Sequence, residues 1–98
     1  MELNNIKDLE LFFNQNKIFD KAGTDSIGVF GSFARGEKSN DIDLLFENVK
    51  DKEKLIEVKD ELERKTGKKI DIVFDDLANP IILHRAKKEL IHVKKHQK

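Results

Sequence analysis

Three segments of the chain carry apolar residues at the spacing of an amphipathic helix. Asn4 or Asn5 can cap the first segment, and Asp51 can cap the second, which ends before Gly67, a residue suited to the left-handed position after a helix. The third begins at Asn79-Pro80, with proline at the first helical position. The apolar positions predicted to be buried are Ile6, Leu9, Phe12 and Phe13, then Leu55, Ile56, Val58 and Leu62 within Lys52 to Thr66, then Ile82, Leu83, Ala86 and Leu90.

Strands are predicted where apolar residues run together or alternate with polar ones. They are Ile27 to Phe30, Asp41 to Glu47, Lys69 to Phe74 and a short edge strand at Ile91 to Val93. The stretch from Gly31 to Asn40 is too short for a βαβ crossover, so the sheet is expected to be mixed. The predicted fold class is therefore α/β, a single small domain with a mixed three- to four-stranded sheet and helices packed mainly on one face.

Composition narrows the classes of function. The chain has 98 residues, enough for one modest core, and its 19 lysines and arginines balance its 19 aspartates and glutamates. No global positive field attracts nucleic acid, so direct nucleic-acid binding is not expected. Cysteine is absent, which excludes disulfides and thiolate metal sites. The segment from Met1 to Asn16 has no signal-peptide pattern, and no apolar run is long enough to span a membrane, so a cytoplasmic location is expected.

The stretch "GVFGSFARGEKSNDIDLLFE" has part of the pattern of a phosphate-binding P-loop. A P-loop requires contiguous Gly-Lys-Ser/Thr followed by a full helix. Here Glu37 separates Gly36 from Lys38, and only Asn40 lies between Ser39 and the next predicted strand. The P-loop interpretation therefore fails, and Lys38-Ser39 is placed in a turn without a catalytic role.

Two aspartates begin the second predicted strand. Because side chains alternate along a strand, Asp41 and Asp43 share one face, and Asp71 of the third strand joins them if the two strands are neighbours in register. Acidic pairs near strand ends also occur as solubilising or edge-protecting charges. Three carboxylates on one face repel one another unless a cation neutralises them, and oxygen ligands of this kind favour Mg²⁺ or Mn²⁺.

A glycine-containing turn lies next to these carboxylates in sequence. Gly31-Ser32 directly follows a strand, where backbone N–H groups and the serine hydroxyl can approach a phosphate. Arg35 is a further candidate phosphate ligand, and a structural ion pair with Glu37, Asp41 or another nearby acid is an equal alternative. Gly-Ser, a second glycine and Asp-x-Asp at these offsets form a far more specific combination than any one of them alone.

The segments "GSFARG", "NDIDLL" and "KIDIVF" together resemble the minimal nucleotidyltransferase family of the DNA polymerase β superfold. The resemblance implies that Gly31 and Ser32 hold the triphosphate of ATP. It further implies that Asp41 and Asp43 hold two Mg²⁺ ions and that Asp71, as a third carboxylate ligand of the metal site, completes it near the attacking hydroxyl. The chain departs from the family pattern in its shorter connection before Asp41 and in Asn40, where serine is typical.

The same resemblance implies an antitoxin that transfers AMP from ATP to a tyrosine of a partner HEPN-domain ribonuclease toxin. The chain contains no tyrosine, so a tyrosine acceptor must belong to another molecule. The alternative is a nucleotidyltransferase-fold module with little or no turnover that neutralises its partner by binding. Phe12, Phe13 and Phe19 are candidates for either a docking surface or the core.

Other motifs carry weaker predictions. His92 and His96 have helical metal-ligand spacing but lack the glutamate of the HExxH pattern. Asp75 and Asp76 follow the third strand and are expected to serve in a turn or cap, with a peripheral metal role as the alternative. The closing "VKKHQK" is expected to be frayed.

Overall fold

The computed structural model describes residues 3–96 and contains one four-stranded sheet in the order β3-β2-β1-β4. Within that range, no helix is long and apolar enough to cross a membrane. The elements in chain order are α1 (Ile6–Gln15), α2 (Ile18–Ala22), β1 (Ser26–Phe30), α3 (Gly31–Ala34), β2 (Asp41–Phe46), α4 (Lys52–Thr66), β3 (Lys69–Phe74), α5 (Pro80–Glu89) and β4 (Ile91–Lys94).

The sheet is mixed, as the short connection between the first two strands predicts. Strand β1 pairs antiparallel with both β2 and β4, whereas β2 and β3 run parallel and are joined through α4. A parallel pair needs a long crossover, which a 15-residue helix provides. The predicted α/β class with a three- to four-stranded mixed sheet is confirmed.

The main core lies on one face of the sheet, beneath α1, α2 and α4. Ile42 and Leu44 of β2 point into it and are fully buried. Phe12, Phe13 and Phe19 are buried there too, and the rings of Phe13 and Phe19 meet edge to face with centroids 5.9 Å apart. Of the two alternatives for these phenylalanines, the core is confirmed and the docking surface is excluded.

Helix α5 lies on the opposite face. Gly28 lies between the core residues Ile27 and Val29 on β1 and therefore faces the opposite side of the sheet. On that side it lies against Leu90, the residue that follows α5. Leu45 and Ala86 are buried outside the main core cluster. Helices α1, α2 and α4 lie on one face of the sheet and α5 lies on the other, which matches the predicted packing mainly on one face. The aspartates lie on the same face as α5.

The predicted helix ends are confirmed by their capping contacts. The side chains of Asn5 and Asp51 accept hydrogen bonds from backbone N–H groups of the first turns of α1 and α4, and Asn79 does the same for α5, which starts with Pro80. Gly67 adopts a left-handed conformation, with φ 70°, at the end of α4. The sequence pattern did not predict α2, because five residues are too few to show a helical period.

Two side chains predicted to be buried are exposed. Ile56 on α4 has 62% of its surface accessible and Ile82 on α5 has 53%. For Ile56 the reason is that a helix presents only about a third of its surface to one layer, so that its neighbour Leu55 takes the buried position. Ile82 shares its helix face with Ala86, one turn later, so the helical period alone does not separate these two residues. Leu55 is buried on α4 and Ala86 on α5.

The C-terminal segment is ordered through His96, contrary to the predicted fraying. Val93 is buried, Lys95 pairs with Asp20 at 2.5 Å, and the N–H of His96 donates to Asn14 at 2.7 Å. Pairing of β4 with β1 fixes this segment, an interaction that a local pattern does not show. Residues 97 and 98 lie outside the described part of the chain.

An ion-pair cluster joins α2 to α4 and gives a pH-dependent prediction. Glu61 accepts from Lys21 at 2.8 Å and from Lys65 at 3.2 Å, and these contacts lower the pKa of Glu61, with the Lys21 hydrogen bond as the largest cause. A lowered pKa means that the folded state binds fewer protons, so this stabilisation is complete above pH 4.5 and is lost as the pH falls through the folded-state value.

Glu61→Gln is therefore expected to lower the melting temperature at pH 7 by about 2–4 °C, the effect of a surface ion pair in a domain of this length. The difference between variant and wild type should shrink below pH 4.5. Thermal melts from pH 3 to pH 8 measure it, with Glu57→Gln, an exposed position of the same helix, as control. A difference that stays constant across this range would exclude a charge-dependent contribution.

Candidate active site

Three aspartates lie on one face of the sheet, at the edge where β1 ends and β2 and β3 begin. Asp41 and Asp43 alternate with the buried Ile42 and Leu44, and so point away from the main core. The register of the parallel pair places Asp71 directly beside Asp43. On its other side, Asp43 is paired with Phe30, the last residue of β1. Asp43 is thus the central carboxylate of the three.

The electrostatic environment of Asp43 shows how closely the three carboxyl groups crowd. Burial raises the pKa of Asp43 first, and the negative charges of Asp71 and Asp41 and a hydrogen bond with Asp71 raise it further, while the positive charge of Arg35 acts in the opposite direction. A half-buried carboxylate beside two like charges is destabilised when ionised. A bound cation would remove that repulsion, so the donor set fits a divalent metal.

In the described residues, no three His, Asp or Glu side chains are arranged as a complete metal-binding cluster. Mg²⁺ in proteins is usually held by one or two carboxylates together with water and substrate phosphates rather than by an all-protein cage. Asp41 and Asp43 are the residues that could supply the carboxylates, with Asp71 as their neighbour.

Gly31 brings the backbone of the turn after β1 against Asp43. Its φ is 76°, in the left-handed region, and a Cβ atom at this position would overlap the Oδ2 atom of Asp43. Only glycine satisfies both requirements. Gly31 therefore sets the distance between the backbone N–H groups of this turn and the carboxylates, the two parts that the sequence predicted to bind phosphate and metal.

Ser39 connects Ser32 to Asp41. The hydroxyl of Ser32 donates to Ser39 Oγ at 3.1 Å, and Ser39 Oγ both donates to the carbonyl of Asp41, at 2.9 Å, and accepts from its N–H, at 3.1 Å. The sequence pattern places Ser39 in a turn and predicts no role for it. The available signal was a serine two residues before a strand, which commonly bonds to the backbone two residues on.

The other side of the short connection is attached to the start of β3. The ammonium of Lys68 donates to the carbonyl of Ser39 at 2.8 Å, and the N–H of Lys69 donates to the carbonyl of Asn40 at 2.9 Å. The connection is thus hydrogen-bonded to the turn that holds Ser32 and to the strand that holds Asp71. Its shortness does not leave the two halves of the site unconnected.

Arg35 forms ion pairs with two acids. Its Nε contacts Glu37 at 2.5 Å and its Nη1 contacts Glu89 at 2.8 Å, and these hydrogen bonds, that of Glu37 first, raise the pKa of Arg35. Of the two alternatives for Arg35, the structure therefore shows the ion pair. Glu89 also accepts from the N–H of Gly31 at 3.2 Å. Sequence reasoning missed Glu89 because 58 residues separate it from Gly31 and no local pattern joins them.

The histidine pair does not form a metal site. His92 lies on β4 and contacts Glu47 at 3.4 Å, whereas His96 lies beyond the strand and contacts Glu10 at 3.1 Å. The i,i+4 spacing does not bring the two histidines together, because the segment is extended rather than helical, as the predicted edge strand requires. Asp75 and Asp76 have turn roles, as predicted. Asp75 accepts from the N–H of Asn48 at 3.3 Å, and Asp76 pairs with Lys52 at 2.9 Å.

Comparison with known proteins relates this geometry to a family. Residues 8–98 match the family described as Polymerase beta, Nucleotidyltransferase. The protein adenylyltransferase MntA of Thermococcus cleftensis is 31% identical over 84 residues, which cover 82% of this chain and 85% of that protein.

Two solved structures have similar folds. Both are variants of the toxin–antitoxin complex MntA–HpeT, one with a tyrosine replaced by alanine and the other with two aspartates, two positions apart, replaced by glutamate. Their TM-scores are 0.64 and 0.63, at 21% and 18% identity, with 86% of this chain covered in each case and 74% and 75% of the other chain. The resemblance drawn from the sequence motifs is confirmed, and the chain belongs to the polymerase β nucleotidyltransferase family.

Proposed function

We propose that the protein is a Mg²⁺-dependent nucleotidyltransferase that transfers AMP from ATP to a tyrosine hydroxyl of a partner HEPN-domain toxin and so acts as its antitoxin. The observation that carries the proposal is the position of Asp43. It lies between Asp71 and the Gly31 turn, with Asp41 on the same face. Family membership supplies the class of chemistry, and this arrangement supplies the residues for it.

Each residue has a defined part in the proposed reaction. The N–H groups of the turn at Gly31 and Ser32 bind the triphosphate, and Arg35 adds a positive charge beside them. Asp41 and Asp43 hold Mg²⁺, which when bound neutralises the phosphates and stabilises the departing pyrophosphate. The phenolic oxygen bonds to the α-phosphorus, the bond to the β-phosphate breaks, and the phenolic proton passes to the Asp71 carboxylate. Positioning and charge compensation would provide most of the rate enhancement.

Two observations support a tyrosine of a partner protein as the acceptor. The relative from Thermococcus cleftensis is named a protein adenylyltransferase, and the two similar structures are toxin–antitoxin complexes in which a tyrosine or a pair of aspartates has been substituted. The pair of aspartates in that complex has the same two-residue spacing as Asp41 and Asp43. In addition, this chain contains no tyrosine, so a tyrosine acceptor must belong to another molecule.

The position of an isotope label in ATP shows which phosphate group is transferred. The protein is incubated with its partner toxin, Mg²⁺ and ATP labelled in either the α- or the γ-phosphate. The proposal predicts that only the α-label enters the partner and that substitution of the partner's tyrosines removes it. Transfer of the γ-label would identify a kinase, and incorporation that survives removal of all partner tyrosines would exclude the proposed acceptor.

A second function is a module that neutralises the toxin by binding alone. It is favoured by the contact of Glu89 with Gly31 and Arg35, since this carboxylate lies on donors that the triphosphate would use. A single experiment distinguishes the two functions. A binding module forms a stable complex with the toxin and suppresses its ribonuclease activity without ATP, whereas the transferase requires ATP and leaves the toxin inactive after the two proteins are separated.

Ser39 provides a test of the geometry within the proposed site. Ser39→Ala removes the bridge between Ser32 and Asp41 but no proposed ligand. We expect kcat to fall by about tenfold to a hundredfold with little change in KM, since small displacements of reacting groups have effects of this order. Steady-state kinetics with the partner as acceptor measures both constants, and Ser26→Ala, a partly buried serine of β1, is the control. A change confined to KM would contradict a positioning role.

A further inference from the structure

Glu89 is the last residue of α5, and its carboxylate contacts the phosphate-binding turn from the other side of the chain. One oxygen accepts from the N–H of Gly31 at 3.2 Å, and the other accepts from Nη1 of Arg35 at 2.8 Å. A backbone N–H and a guanidinium are the two kinds of donor that commonly bind a phosphate oxygen. A protein carboxylate thus occupies both donors in the structure.

The ion pair between Glu89 and Arg35 is weak enough for a phosphate group to replace the carboxylate. The side chain of Arg35 is 45% accessible and that of Glu89 is 39% accessible, so water and salt screen their attraction. A triphosphate carries several negative charges and more acceptor oxygens than a single carboxylate. It can therefore replace the Glu89 carboxylate on the same donors, provided that Glu89 moves away.

We propose that Glu89 is an intramolecular competitor of the nucleotide, holding the position of a phosphate group on Gly31 and Arg35 until ATP displaces it. The inference rests on the proposed function, because it takes the Gly31 turn as the triphosphate site. It adds a residue that limits nucleotide affinity. It also joins nucleotide binding to α5, the helix whose end Glu89 forms and whose buried side chain is Ala86.

Affinity measurements on a matched pair of variants test the competition. Glu89→Ala removes an acid that contacts both donors, whereas Glu37→Ala removes an acid that contacts Arg35 alone. Both positions are exposed and both substitutions change the net charge equally. Isothermal titration with Mg²⁺-ATP, and separately with inorganic tripolyphosphate, gives the dissociation constants of the two variants and the wild type. Thermal melts without ligand verify that each variant is folded.

The competition predicts that Glu89→Ala binds both ligands about three- to fivefold more tightly than wild type, the range that release of a surface ion pair allows. Glu37→Ala should show a smaller gain. Equal gains would indicate a general charge effect and overturn the inference while leaving the phosphate site in place. Weaker binding by Glu89→Ala would overturn it too, by making Glu89 a support of the site. If neither ligand binds the wild type or either variant, the proposed function fails and the inference falls with it.

Discussion

Asp43→Asn is expected to lower the rate of AMP transfer by about 10³-fold or more, because it removes the central carboxylate of the proposed metal site. The same substitution should raise the melting temperature of the protein without metal. Asparagine keeps the shape of aspartate but removes the half-buried charge that Asp71 and Asp41 repel. Loss of activity together with a gain in stability is typical of a functional residue placed at a cost to the fold.

The stability change has a defined pH dependence. The pKa of Asp43 is raised in the folded state, so its ionisation destabilises the protein above its usual value of 3.8 and has no effect well below it. The melting temperature of Asp43→Asn should therefore exceed that of wild type most clearly near pH 7, and the two should converge at about pH 3. Asp60→Asn, at an exposed position of α4, is the control. Transfer within about threefold of wild type would remove Asp43 from the proposed site, whose residues are expected to matter far more.

Gly31→Ala is expected to be the most damaging single substitution in the turn, and Gly36→Ala is its matched control. Both glycines have positive φ, 76° and 81°, so alanine is strained equally at either position, by about 1–2 kcal/mol. Only at Gly31 does the added Cβ also overlap Asp43, since nothing lies within 4 Å of a Cβ at Gly36. The difference between the two variants therefore isolates the close approach of the turn to the carboxylate.

For Gly36→Ala we expect a fall in melting temperature of about 4–8 °C with transfer largely retained. For Gly31→Ala we expect a larger fall and a loss of transfer of about 10²-fold or more, because Asp43 must move. Thermal melts and transfer assays on the two variants provide the comparison. Equal losses in both would show that conformational strain alone, and no contact with Asp43, explains the requirement for glycine.

The sequence predicted the parts of the site that depend on local pattern. Alternation along β2 and β3 places the aspartates on one face, and a strand followed by Gly31 places the turn beside them. The neighbouring register of Asp43 and Asp71 follows once the two strands pair in parallel. These features could be predicted because the period of a strand and the turn preference of glycine are properties of a few adjacent residues.

Features set by distant contacts could not be predicted in this way. Glu89 reaches Gly31 only because α5 crosses the sheet and ends beside β1, and the order of the C-terminal segment depends on pairing between β4 and β1. Ser39 lay within the motif, yet its role depends on the position of the Ser32 hydroxyl in the folded turn. Ile56 and Ile82 fit a helical period equally well as buried or exposed residues, and only the neighbouring layer decides between them.

The short connection between Gly36 and Asp41 affects whether the proposed site can catalyse transfer. A shorter connection than the family pattern could displace the phosphate turn from the carboxylates. In the structure its residues are hydrogen-bonded to both sides, to Ser32 through Ser39 and to the start of β3 through Lys68 and Asn40. The turn and the carboxylates are in direct contact at Gly31 and Asp43. This geometry favours the transferase over the module that acts by binding alone.

The most direct test of that conclusion is the intact mass of the partner toxin after incubation with this protein, Mg²⁺ and ATP. We expect a mass increase of one or more AMP units on the partner with the wild-type protein and no increase with the Asp41→Ala/Asp43→Ala variant. A stable complex of the two wild-type proteins whose partner keeps its original mass would contradict it.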